Sequence, residues 1–154
     1  MRKRIISAKT EGEPEGDWLS LEEIAAVEVT SEESAHPIEH ALTGGGAGWR
    51  ASVPGEQTVR LVFDRPQRLS RISLLFVEHE YERSQEFVLR WSPDHGRTFR
   101  DIVRQQWNFS PHGSTREAED YRADLDGVTH LELRITPDRT GGDARAALTR
   151  LRIQ

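Results

Sequence analysis

Four stretches of this chain place apolar residues at every second position. Val59, Leu61 and Phe63 form one set, and Ile72, Leu74 and Phe76 another; Phe87, Leu89 and Trp91 follow, then Leu131, Leu133 and Ile135. Successive side chains of a strand point to opposite faces, so each set lays its apolar groups on one side of a sheet. In the last set Glu132 and Arg134 point the other way. That is the pattern of an antiparallel sheet with one face on a core and the other in water. No heptad, internal repeat or long helical pattern appears.

Turn chemistry separates the alternating runs. Asp64-Arg65-Pro66 is expected to divide a strand over Thr58 to Asp64 from one over Leu69 to Val77. Ser92-Pro93-Asp94-His95-Gly96 and Asp126-Gly127 mark further turns. Pro137 to Ala144, with Gly141-Gly142, reads as a flexible loop before a final strand near Leu148 to Ile153. Ser20-Leu21-Glu22-Glu23 has the outline of a capping box, with room for only a short helical turn before a strand near Val27. About eight short strands give an all-β fold, an antiparallel β-sandwich or jelly roll.

A chain of 154 residues fits one domain that can bury a core without disulfides or metal. Residues 18–154 are read as that domain and 1–17 as a polar lead-in, with Glu11-Gly12-Glu13-Pro14-Glu15-Gly16 as loop. Cysteine is absent, which permits a reducing compartment. Met1-Arg2-Lys3-Arg4 is not followed by the apolar run of a signal peptide, and no run reaches membrane-spanning length. A cytoplasmic protein without a membrane partner is therefore expected. Net charge is −5, with ten acids against four bases in residues 1–48 and sixteen against seventeen beyond. No basic stripe advertises nucleic acid by bulk charge. Arginine far outnumbers lysine, which appears only as Lys3 and Lys9, the bias of a GC-rich bacterial genome.

A further set of features carries a family resemblance over roughly residues 24–153. Thr30-Ser31-Glu32-Glu33-Ser34, Ala41-Leu42 before a Gly-rich loop, Trp49, and the strands from Leu61 to Ile72 stand in order. Ser92 to Phe99 supplies a turn of Ser, Asp, Gly and an aromatic, and Leu131 to Ile135 with Leu148 to Ile153 closes the chain. Together these resemble the discoidin or factor V/VIII type C domains of the galactose-binding-like superfamily. The resemblance implies a discoidin-like jelly roll and a binding module, with carbohydrate as the ligand class. Many relatives hold a structural calcium with acidic residues beside the first long loop and a Glu near the C-terminus. Here that loop is Thr43-Gly44-Gly45-Gly46-Ala47-Gly48, and Arg150 stands at the matching C-terminal position. A hard cation wants six to eight oxygens, so no calcium, and no other cofactor, is expected. Locally, Trp49-Arg50-Ala51-Ser52-Val53-Pro54-Gly55-Glu56 also resembles the N-terminal domain of an animal DNA single-strand-break repair scaffold.

Two segments are candidate ligand sites. Arg104 to Pro111 is read as leaving a strand into a loop that carries Gln106, Trp107, Asn108 and Phe109. Aromatic faces stack on sugar C–H surfaces, while amides and guanidinium groups hydrogen-bond hydroxyls. The competing reading has Trp107 and Phe109 capping one end of the core. Val77 to Gln85 is the second candidate, with His79 and Arg83 as its ligand-binding residues. Its bland reading is a solvated connection. Arg83 offers a planar fork suited to vicinal hydroxyls, carboxylate or phosphate.

Nucleophile and metal signatures are missing, while the plentiful Asp and Glu leave a carboxylate pair for glycoside hydrolysis open until fold distances are known. There is no Cys and no Gly-x-Ser-x-Gly elbow, and the Gly44 to Gly48 run lacks the Lys-Ser/Thr of a phosphate loop. His36 and His40 stand four apart, but Pro37 and the following glycines oppose a regular helix there, so metal is not expected. Two functional classes remain: a non-catalytic carbohydrate-binding module, or an intracellular protein-interaction or DNA-repair-type scaffold domain.

Overall fold

The computed structural model describes residues 17–44 and 46–154. The polar lead-in expected over 1–17 therefore lies, save for Asp17, outside the described residues. In chain order the elements are α1 (Leu21–Ile24), β1 (Ala25–Val29), α2 (Glu39–Thr43), β2 (Trp49–Arg50), β3 (Gln57–Val77), β4 (Arg83–Ser92), β5 (Arg100–Phe109), β6 (Arg116–Thr136), β7 (Ala147–Leu148) and β8 (Arg150–Ile153). The eight strands pair antiparallel, as the alternation requires. Ser20 begins α1 without a side-chain cap; its carbonyl accepts the Glu23 N–H at 3.0 Å instead.

Two strands of 21 residues set the architecture. β3 and β6 run side by side from Gln57↔Ile135 to Val77↔Arg116, with register shifts between Val62 and Arg71. Asp64-Arg65-Pro66 and Asp126-Gly127, expected as turns that end strands, sit inside these long strands. Pro66 falls in the skipped register between Val62 and Gln67, where no ladder donor is required. Gly127, at φ 68°, supplies a conformation that bulges favour and side chains resist. The paired strands thus bend together and pass from one layer of the sandwich to the other.

The first halves of β3 and second half of β6 build one layer with β1, β4 and β5, in the order β1-β3-β6-β4-β5. The other halves build the second layer with β8 on the far side of β3. Ring packing ties the layers: Phe76 stacks on Phe87 at 5.3 Å between centroids, and Tyr121 meets Phe87 edge-on at 6.5 Å. Phe63, Phe76, Trp91 and Leu133 are all buried, each stabilising the sandwich by roughly 1.5–3 kcal/mol. The turn after β4 closes as its residues suggest. Ser92 Oγ accepts the Asp94 and Gly96 N–H groups, and Asp94 accepts from Thr98.

Trp49 explains why the first long loop is ordered beside the core. It is buried, and its Nε1 donates to the Ser31 carbonyl at 2.9 Å. Gly48 before it has φ 86°, and a Cβ there would lie 2.5 Å from the Leu148 carbonyl. Only glycine lets this loop close on β7. α2, absent from the sequence expectation, forms from Glu39; His40 lies on it and His36 before it. Among the described residues no three His, Cys, Asp or Glu side chains gather in a metal-binding group.

Candidate functional site

One end of the sandwich is built by the connections 30–48, 51–56, 78–82, 110–115 and 137–146. Backbone hydrogen bonds lace them together. Glu33 N donates to Arg50 O at 2.8 Å, Ala51 N to Ala146 O at 2.9 Å, Glu78 N to Thr115 O at 2.8 Å, and Arg139 N to Ser84 O at 2.8 Å. Satisfied backbone groups of this kind make the loops a formed surface rather than a loose fringe.

Between these connections lies a cleft of about 490 Å³. Its walls come from Arg50, from Val77, Glu78 and Tyr81 to Arg83, and from Asp138, Asp143 to Arg145 and Ala147. Arg83 sits at its base, the side chain nearly closed off from solvent. Its Nε lies 2.9 Å from the Glu78 carboxylate, Nη1 donates to the Pro137 carbonyl at 3.1 Å, and the guanidinium lies 5.2 Å above the Phe109 ring. Burial pulls its pKa below the ordinary arginine value, against the opposing pull of Glu78. Arg50 and Arg145 share the Glu33 carboxylate, at 3.4 and 2.9 Å. Burial would raise Asp138, but hydrogen bonds from Thr140 and the charge of Arg83 outweigh it and hold it low.

The cleft therefore mixes guanidinium donors with the carboxylate acceptors Glu78, Glu82, Asp138 and Asp143. At its rim Tyr81 is 62% exposed. Among the described residues, Tyr81 and Val53 are the large apolar side chains left in solvent. Val53 belongs to the neighbouring 51–56 connection, which is tied to the cleft wall by Gly55 N donating to Ala144 O.

The residues singled out from sequence are divided by this geometry. Arg83 lines the cleft; His79 is exposed on the same connection but outside the lining. Residues 105–109, read as a loop, are the last part of β5, paired with β4 through Arg83↔Phe109, Gln85↔Trp107 and Glu86↔Gln106. Strand alternation then splits them. Phe109 points inward and is buried, Trp107 leans against the core, and Gln106 and Asn108 face out from the five-stranded layer. Gln106 Nε2 donates to Ser84 Oγ on that outer surface.

Behind Trp107 is a buried polar group. Gln85 donates to Glu117 at 3.1 Å, and the Tyr121 hydroxyl donates to Glu119 at 3.2 Å. Burial and the neighbouring Glu119 push Glu117 up to about 8. Tyr81, Arg145, Asp138 and Asp143 were not singled out from the sequence. The available signals were an aromatic inside a charged connection and two carboxylates in a Gly-containing loop.

No protein-family model and no curated protein matches the chain. Solved structures do. A pectin-binding carbohydrate-binding module is 20% identical, with a TM-score of 0.63 over 85% of this chain and 90% of that one. A family 32 carbohydrate-binding module from Clostridium perfringens, in complex with galactose, is 14% identical, TM-score 0.61, covering 88% and 96%. Another from a family 31 glycoside hydrolase of the same organism is 16% identical, TM-score 0.66, covering 97% and 98%. These likenesses establish the fold, a discoidin-like jelly roll, as expected from the sequence.

Proposed function

We propose that the chain is a non-catalytic carbohydrate-binding module whose sugar site is the cleft between Arg50, the 77–83 connection and the 138–147 segment. The observation that carries this reading is Tyr81, a solvent-exposed aromatic beside convergent guanidinium and carboxylate groups. Such a ring covers the C–H face of a pyranose while forks and acceptors take its hydroxyls. Similar folds whose names describe sugar-binding modules add support, though fold alone does not determine function.

Two carboxylates support the non-catalytic part of this reading. A general acid for glycoside cleavage needs a raised pKa. Asp138 in the cleft is held low, and Glu117, which is raised, lies inside the sandwich beneath Trp107 and Gln85. A glycan array probed with the native chain, then with Tyr81→Ala, tests the proposal. Selective glycan signals that vanish with Tyr81→Ala are expected. A blank array at high protein concentration, with the folded state confirmed, would refute it.

A further inference from the structure

The two outer faces of the sandwich treat arginine differently. On the outer face of the five-stranded layer Arg60, Arg90, Arg104 and Arg134 each meet a carboxylate. Arg60, Arg90 and Arg134 converge on Glu132, which is fully buried, and Arg104 pairs with Glu86. On the three-stranded layer the register places Arg71, Arg116, Arg122, Arg150 and Arg152 on one outer face. Asp120 lies among them and is held by Arg71, and further along β6 Asp124 is held by Arg68. Arg116 and Arg122 are exposed and form no ion pair among the described residues. Arg71 and Arg122 stand directly opposite each other across the β3–β6 pair. Asp120 answers the Arg71 charge, so the positive charge an incoming anion would meet here is that of Arg116 and Arg122.

We infer that this face binds an acidic polysaccharide, a polyuronate chain, continuing from the sugar cleft. The inference rests on the proposed sugar-binding reading and deepens it. Val77 joins the two surfaces: it lines the cleft, and it pairs with Arg116 at the cleft end of the arginine face. From Val77 back to Arg71 the face runs for roughly 20 Å at the strand rise, enough for several sugar units. Guanidinium forks suit carboxylates bidentately. A nucleic acid strand fits less well. Trp18, the aromatic lying over this face, is flanked by Arg71 and Arg152 at 5.7 and 6.0 Å, and among the described residues no second ring pairs with it to stack successive bases.

The test is titration calorimetry on the full chain with sodium polygalacturonate, a neutral oligosaccharide found on the array, and single-stranded DNA. The Arg116→Gln/Arg122→Gln double variant alters exposed, unpaired groups and should fold normally. It is expected to weaken polygalacturonate about tenfold or more and to reduce the salt dependence, leaving the neutral sugar unchanged. Unchanged polygalacturonate affinity in the double variant, or no polygalacturonate binding by the native chain at low salt, overturns the inference. So does DNA binding that depends on these arginines in the absence of polyuronate binding. If polygalacturonate binds through the arginines while Tyr81→Ala leaves every sugar unaffected, the face stands and the cleft reading fails.

Discussion

The 78–83 connection and the 105–109 segment look alike in sequence, each mixing aromatic, amide and charged groups. In the fold they have opposite fates. The first crosses between layers, so its side chains converge on a concave end of the sandwich. The second is edge strand, and its neighbours diverge: Trp107 and Phe109 inward, Gln106 and Asn108 outward. A binding constellation needs convergence, which a loop can supply and consecutive strand residues cannot.

The largest expected effect breaks the comparison on the β5 side. Phe109→Ala should cost about 3–5 kcal/mol in denaturant unfolding, the range for a buried aromatic. Tyr81→Ala should change stability by no more than about 0.5 kcal/mol, as an exposed loop residue does. A Phe109→Ala loss below about 1 kcal/mol would mean that this ring is not core.

A smaller effect comes from the polar group behind Trp107. Glu117 is raised, so between the usual glutamate range and about 8 the folded chain keeps a proton that the unfolded chain has lost. Stability is then greatest at the acidic end of that window and falls as pH rises through it. The melting temperature should drop between about pH 5 and 8, and Glu117→Gln should flatten that drop. A native chain with equal melting temperatures across this range would contradict the buried, protonated state.

Calcium should do least. By the family resemblance Thr43 and Arg150 stand where calcium-holding members carry acids, so neither calcium nor chelator should move the melting temperature. An ion at 100 times its dissociation constant would add about 2.7 kcal/mol, and a shift of that size would expose a site elsewhere.

Much of the fold could be read from the chain because alternation is a local signal. Leu131, Leu133 and Ile135 declare a face without reference to anything distant. The bends were not legible. Pro66 and Asp126-Gly127 have turn chemistry, and only the pairing of β3 with β6 shows that they bend strands rather than end them. The lining of the proposed cleft was half legible for the same reason. Arg83 stood out as a fork in a charged connection, whereas Arg50, Asp143 and Arg145 reach the cleft through contacts distant in sequence. The split of residues 106–109 follows from the two-residue period itself, once the segment is known to be strand.

Titration calorimetry of one array-positive glycan against the native chain, Tyr81→Ala and Trp107→Ala tests the central claim most directly. If the sugar end is the 78–83 cleft, Tyr81→Ala lowers affinity by about tenfold or more, while Trp107→Ala loses stability but binds the glycan with native affinity when folded. If Trp107→Ala abolishes binding in a folded protein and Tyr81→Ala leaves it intact, the sugar is held at β5, and the account given of the cleft is wrong.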